Sequence, residues 1–327
     1  MKNVLVTGGA GFIGSYLVDK LIKLNVKVTI VDKLFGYGAI PYIHPKATFI
    51  NADICDLSLY SKLKDLNIDT VYHLAAQSAG ETSYDDPKFD ILTNSYGTYL
   101  VAQFCKDSGV KRLIYTSTVA VYGNNASGLI DEKSNINPDS IYGVSKYSGE
   151  LFIKQILSNS NTQFTIFRVF NTYGLGENLN FQKKGMVSIY IGYIWKKKPI
   201  SVKGSLERYR DFTFVTDTVD ALISCHKKSI SFGEIYNLSS GVKTHIKDLL
   251  NSILIAFNLP KDYKIEELPG TPGDSFGFHS NSDKIKKHLN WSPKIELNVG
   301  LKKYYKWVKS IPVVKKLNSF HPFLKLR

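Results

Sequence analysis

Residues 4–15, "VLVTGGAGFIGS", constrain the fold more than any other stretch of this chain. The apolar run at 2–7 reads as a buried strand, and the amphipathic segment from about Phe12 to Leu24 reads as the helix that follows. Gly9, Gly11 and Gly14 fit G-x-G-x-x-G, and Gly8, Gly11 and Gly14 fit G-x-x-G-x-x-G. Strand, glycine turn and helix together make a phosphate-binding device. Glycine permits the tight turn and the close approach of backbone to a pyrophosphate, and the helix N-terminus offers free N–H donors. A second strand, "KVTIVD" (27–32), ends on Asp32, where a carboxylate accepts from ribose hydroxyls. The same carboxylate repels a 2′-phosphate, so NAD is favoured over NADP. Asp53, just past the third strand (47–53), has two readings: a partner for the adenine edge, or a helix N-cap.

The series continues with strands at 70–76, 111–117 and 164–170, and with helices between them, notably 88–108 and 141–158. Such alternation predicts an α/β fold, a Rossmann-type doubly wound parallel sheet with helices on both faces. The second half is less regular, with loops around 174–185 and 268–282, and reads as a smaller C-terminal α/β lobe. The expected division is an NAD-binding domain over 1–170 with later segments around 205–240 interleaved. A mainly substrate-binding lobe over 171–309 and a basic tail over 310–327 complete it.

The 42 Lys and Arg residues outnumber the 28 Asp and Glu, giving a net charge of +14. That charge admits nucleic acid or anionic small molecules as partners. The basic residues form no single dense block, only clusters at 183–184, 196–198 and in the tail, so no nucleic acid is expected. No apolar run is long enough to span a bilayer, and the start lacks a secretory h-region. Cys55, Cys105 and Cys225 have no metal-ligand spacing, so we expect reduced thiols in a cytoplasm and no metal. The tail, "WVKSIPVVKKLNSFHPFLKLR", mixes basic and apolar residues in a way that suits an anionic membrane surface. Pro312 and Pro322 argue against one long helix there, which favours a packed or disordered tail.

"IYGVSKYSGE" (141–150) sets Tyr142 four residues before Lys146, on one face of a helix. The pair is either a solvated surface or half of an acid–base device. A free tyrosine, with a pKa near ~10, is a poor base at neutral pH. An adjacent ammonium favours the phenolate.

Further motifs are "HLAAQS" (73–78), Asn94 in "TNSYGT", "YTSTVAVYG" (115–123), "RVFNTYG" (168–174), "RYRDFTFVTD" (208–217) and a terminal "LNWSPKIELNVGLKKYYKW". With the glycine turn and "YGVSK" they run in one order over about residues 1–308. In that order they resemble the extended short-chain dehydrogenase/reductase family. The chain is most similar to its NAD-dependent nucleotide-sugar epimerases and dehydratases, of the UDP-glucose 4-epimerase kind. The resemblance implies that Tyr142 and Lys146 are catalytic, with Thr118 as the third hydroxyl and Ser117 as its fallback. It implies NAD contacts at Gly8, Gly11, Phe12, Ile13 and Gly14, and at Asp32, Asp53 and Ile54. Leu74, Ala75, Ala76 and Gln77 follow, with Asn94, Thr116, Tyr142 and Lys146. Asn94 would also steady the active-site helix.

For a nucleotide-diphosphate sugar the resemblance implies Ser78, Thr118, Tyr142, Asn171, Val187, Arg210 and Asp274. Arg210 would pair with the diphosphate, for which a planar guanidinium is suited. The family's second arginine is replaced here by Thr271, and Lys184 and Arg208 are candidates to compensate. The resemblance also implies a homodimer through a four-helix interface built from 88–108 and 141–158.

In the family, 4,6-dehydratases carry Asp-Glu directly after the catalytic Thr, and decarboxylating relatives keep a glutamate at the second position. Here the two are Val119 and Ala120. The expected activity is therefore C4 epimerisation through a transient 4-keto sugar, in polysaccharide biosynthesis. A nucleotide-sugar reductase, dehydrogenase or 4,6-dehydratase is the alternative. A non-enzymatic dinucleotide- or RNA-binding relative is disfavoured because Thr118, Tyr142 and Lys146 are all present.

Overall fold

A computed structural model describes residues 1–35, 38–124, 128–270, 275–311 and 321–323. Seven strands form its main sheet: β1 (Asn3–Thr7), β2 (Lys27–Asp32), β3 (Thr48–Asn51), β4 (Thr70–His73), β5 (Arg112–Thr118), β6 (Gln163–Val169) and β7 (Glu234–Leu238). All pair in parallel, in the order β7-β6-β5-β4-β1-β2-β3. Val4 to Thr7 of β1 are buried without alternation, as expected of a strand covered on both faces. The order reverses at β1, and a crevice opens there, outside the C-terminal ends of β1 and β4.

The main helices are α1 (Phe12–Lys23), α2 (Leu57–Lys64), α3 (Gly97–Asp107), α4 (Ile141–Leu157), α5 (Met186–Trp195), α6 (Val215–Ser224), α7 (Ile246–Ala256) and α8 (Leu297–Lys309). One face of the sheet is covered by α1 and α6 through Leu17, Val18, Leu21, Val219 and Leu222, which pack on Val4 and Val6. The other is covered by α2, α3 and α4 through Leu59, Leu63, Val101, Phe104 and Ile153, which pack around Leu5 and Val71. Alternate residues of β1 thus feed two separate cores, which is the doubly wound architecture expected from the strand–helix alternation.

A third core joins α5, α7 and α8 to Tyr173, Phe212 and Phe214. The short strand Asn171–Tyr173 leads out of the sheet and pairs in parallel with Phe212–Phe214. β7 then returns to the sheet edge beside β6. This five-residue strand was not anticipated, because "EIYNL" is too short to show a period. The helix expected over 88–108 is present and runs without a break from Pro87 to Asp107, but a π-helical turn (Ile91–Tyr96) interrupts its α geometry between Pro87–Asp90 and α3. The π turn buries Thr93 and Asn94 while Ile91, Leu92 and Tyr96 face outward. No helix among the described residues is long and apolar enough to cross a membrane.

Candidate active site

A cleft of about 670 Å³ opens at the C-terminal ends of β1, β4 and β5. Gly8, with φ 71°, turns the chain out of β1, and a Cβ there would stand 2.6 Å from the Ala75 backbone nitrogen. A Cβ on Gly14 would collide with the Gly8 carbonyl oxygen. Only glycine fits at either position, and the result is a bare backbone floor beside the first turn of α1. Gly8, Gly11, Phe12, Ile13 and Gly14 all line the cleft. This cradle fits the pyrophosphate of a dinucleotide.

Asp32 lines the cleft at the end of β2 and accepts from Ala10 N at 3.1 Å and Leu34 N at 2.8 Å. Burial raises its carboxyl above the ordinary carboxylate range. Asp53 Oδ2 meets Lys33 Nζ at 2.7 Å, and its Oδ1 accepts from Cys55 N at 2.9 Å. Burial alone would raise the Asp53 carboxyl, but the Lys33 and Cys55 hydrogen bonds hold it below its ordinary value. The N-cap of α2 is Asp56, which accepts from Ser58 N, so the capping reading of Asp53 does not hold. Ile54, Leu74, Ala75, Ala76, Gln77 and Thr116 line the neighbouring walls.

Tyr142 and Lys146 enter from α4, whose first turn is capped by Ser140 accepting from Gly143 N at 3.1 Å. Gly143 allows a close approach, since a Cβ there would lie 2.6 Å from Ala120 O. Lys146 Nζ donates to Thr116 O at 2.6 Å and sits 4.3 Å from the Tyr115 ring centroid. Burial pushes the Lys146 ammonium down to about 7, against the pull of Glu150 and Asp90. Burial also pushes the Tyr142 phenol up to about 12, with the Thr118 hydroxyl lowering it and Asp90 raising it. Burial thus outweighs the depression of the phenol expected from Lys146. Lys146 spends a proton on the Thr116 carbonyl, and desolvation dominates both groups.

Thr118 Oγ1 also accepts from Ala120 N at 3.2 Å, so it caps the short 3₁₀ turn Val119–Tyr122 while bonding the phenol. Ser117, proposed as its fallback, also lines the cleft, but its hydroxyl is committed elsewhere. Successive strand residues face opposite ways, and Ser117 Oγ donates to Glu150 Oε1 at 2.5 Å. Glu150 is held in turn by a bidentate pair with Arg168, at 3.0 and 2.7 Å.

Two further expectations need correction. Asn94 does not line the cleft. It is fully buried in the π turn, where its amide donates to Gln77 O and to Ser145 Oγ, both at 3.0 Å. It ties the β4 loop to α4, as the helix-steadying reading had it, and makes no cofactor wall. Arg210 is likewise absent from the cleft lining. Its guanidinium is captured by the carbonyls of Tyr209 at 2.8 Å, Ser275 at 2.9 Å and Phe276 at 3.3 Å. Arg208 is turned toward the carbonyls of Ser205 and Lys203 and stays outside as well. Lys184 does reach the cleft and donates to Ser78 Oγ. Asn171 and Val187 also line it, and Asn171 donates to Asp211 O at 3.3 Å. Asp274 and Thr271 lie outside the described residues.

Sequence reasoning missed Glu177. It lines the cleft, buried beside Lys184. Burial pushes the Glu177 carboxyl up and the Lys184 ammonium down, and each opposes the shift of the other. No period marks a loop acid in "YGLGENLN", so only the folded arrangement reveals it. Asp90 was missed too. It accepts from Ser83 and acts on both Tyr142 and Lys146 through its charge.

Residues 4–239 match the family described as the NAD dependent epimerase/dehydratase family. The UDP-glucose 4-epimerase of Mycolicibacterium smegmatis is 30% identical over 305 residues, covering 91% of this chain and 96% of that protein. The human dTDP-D-glucose 4,6-dehydratase is 28% identical over 319 residues, covering 94% of this chain and 89% of that enzyme. The crystal structure of a UDP-glucose 4-epimerase with UDP-glucose from Thermotoga maritima superposes with a TM-score of 0.88 at 29% identity. That match spans 94% of this chain and 98% of the other.

Proposed function

Because the chain belongs to the NAD-dependent epimerase/dehydratase family, we propose that it inverts C4 of a nucleotide-diphosphate sugar through a transient 4-keto sugar. The observation that carries this reading is the pairing of Tyr142 and Thr118 with the apolar Val119 and Ala120 next to them. Tyr142 takes the proton of the C4 hydroxyl, and Thr118 bonds the same oxygen. When bound, NAD supplies a reversible acceptor for the hydrogen and electron pair of that carbon. Tyr142 returns its proton after the keto sugar has turned over. Val119 and Ala120 carry no acid or base to assist elimination across C5–C6. Gly8 to Gly14 would hold the pyrophosphate, Asp32 and Asp53 the adenosine end, and Lys146 the nicotinamide ribose. Ser78, Asn171, Val187 and Lys184 would face the sugar nucleotide.

The test is turnover in D₂O of a panel of UDP-, GDP-, CDP- and dTDP-sugars without added cofactor, read by NMR. A C4 epimer with no deuterium at C5 is expected. Deuterium at C5 or a 4-keto-6-deoxy product would make the protein a dehydratase, and stoichiometric NADH release a dehydrogenase.

Asp32 yields a separate expectation. If its carboxylate reads the adenosine ribose, it would repel a 2′-phosphate, so NAD should bind far better than NADP, and Asp32→Ala should weaken NAD. Calorimetric titration showing equal or tighter NADP binding would overturn that assignment.

A homodimer is part of the same proposal. Ile91, Leu92 and Tyr96 of the π turn and Val144, Leu151 and Phe152 of α4 are exposed large apolar residues on packed neighbouring helices. Tyr99 joins the two helices edge-on to Phe152 at 5.7 Å. A second copy across a two-fold axis would cover this face. Light scattering should give twice the chain mass at micromolar concentration, and a monomer there would contradict the assignment.

The division near residue 170 is supported by the exit of Asn171–Tyr173 from the sheet, and the return of β7 supports interleaving. Three free cysteines, two of them buried, suit a reducing cytoplasm.

A further inference from the structure

The loop at 38–42 and the turn at 174–178 form one side of the cleft, where Gly38, Ala39, Pro41 and Glu177 line it. Neither segment belongs to a helix or to the main sheet. They hold each other through Ile40 N to Gly176 O at 2.9 Å, Asn178 N to Gly38 O at 3.2 Å and a bridge between Ala39 and Glu177. Tyr42 N reaches Ala10 O at 3.0 Å and so ties the loop to the glycine turn. Behind this wall, away from the cleft lining, sits the C-terminal segment 321–323.

His321 is 1% exposed and stacks flat on Tyr42, with centroids 4.5 Å apart and planes at 8°. Phe323 packs on Tyr16 at 4.8 Å and on Tyr42 at 5.3 Å. Tyr16 stands edge-on to Phe12, itself a cleft residue. A Cβ on Gly176 would lie 3.4 Å from His321 Nε2 and from Pro322 Cδ, so the segment abuts the backbone of the turn directly. One short stretch of tail therefore touches all three pieces of the wall: α1, the 38–42 loop and the 174–178 turn.

We infer that His321, Pro322 and Phe323 form a latch that holds this wall of the cleft in its binding geometry. Irregular loops have few contacts of their own, and ordering them on binding costs affinity. An aromatic backing removes that cost in advance. Linkage makes the effect reciprocal: if the docked tail favours NAD, NAD favours the docked tail. The inference rests on the NAD reading of the cleft, and His321 and Phe323 act as positioning residues, not catalytic ones.

The test uses the full chain and two variants, His321→Ala and Phe323→Ala, with NAD affinity measured by calorimetry. Loss of preorganisation is expected to weaken NAD roughly tenfold in each variant. The KM for the sugar nucleotide should rise while kcat at saturation is unchanged, because Thr118, Tyr142 and Lys146 stand on other elements. In the unaltered protein, saturating NAD should slow hydrogen exchange in the C-terminal peptide. If the variants bind NAD as the parent does, the latch is overturned. If the variants fail to fold, exchange in the parent decides, and a tail peptide indifferent to NAD overturns it. Failure of the parent itself to bind NAD would instead remove the cofactor reading.

Discussion

Tyr142→Phe is expected to slow turnover ~10²–10⁴-fold, the usual worth of a positioned general base. The substitution removes one hydroxyl and keeps the buried ring, so the fold should survive. Burial pushes the phenol up to about 12, so at neutral pH most of it is protonated and its basic form grows as pH rises. Lys146 is pushed down to about 7, so its positive charge fades as pH passes neutrality, well before the phenol itself ionises. The parent enzyme should therefore show an acid limb on which activity climbs with pH, and the variant should lose that limb. The check is kcat and kcat/KM across pH by product NMR. A variant within tenfold of the parent, or one that keeps the limb, would take the base role from Tyr142. Thr118→Ala should also lose activity without rescue from Ser117, whose hydroxyl is committed to Glu150.

Arg168→Ala should cost about 3–5 kcal/mol of folding stability, the range for removing one partner of a buried ion pair. Glu150 has no exposed side-chain surface and Arg168 only 3%, so the stranded carboxylate would keep one hydroxyl donor and lose its hydrogen-bonded counter-charge. Arg168 also donates to Tyr122 OH at 3.0 Å, and Tyr122 OH in turn donates to Asn237 Oδ1 at 2.7 Å. The pair thus ties α4 to β6, to β7 and to the turn after β5. The double change Glu150→Leu with Arg168→Met should restore much of the stability, because apolar replacements of a buried pair are often tolerated. It should not restore full activity, since Glu150 supports the charge on Lys146 from one turn away. Urea denaturation midpoints read the first effect. A single variant within about 1 kcal/mol of the parent would show that water enters the site and relieves the charge.

The sequence alone determined what is local or repeats at short range. The glycine turn needs only a strand before it, a helix after it and glycines where a Cβ would collide, and all three are contiguous in residues 2–24. Asp32 follows because β2 must end beside β1, and Tyr142 and Lys146 share a face because α4 is a helix. The alternation of strands and helices predicts the doubly wound sheet for the same reason. The tertiary structure alone decided which partner each polar side chain would take. Arg210 matches a diphosphate-binding arginine in sequence, yet the carbonyls of Ser275 and Phe276, far along the chain, hold it together with that of its neighbour Tyr209. Ser117 and Thr118 are neighbours in sequence and both line the cleft, yet the Ser117 hydroxyl is taken by Glu150. Asn94 sits in a π turn that no period announces. Glu177 and Lys184 meet the cleft, and the 321–323 segment backs its wall, only after residues distant in sequence are packed together. Backbone periodicity is written in neighbouring residues. The pairing of buried charges and the backing of loops depend on desolvation, which exists only once the chain has closed around them.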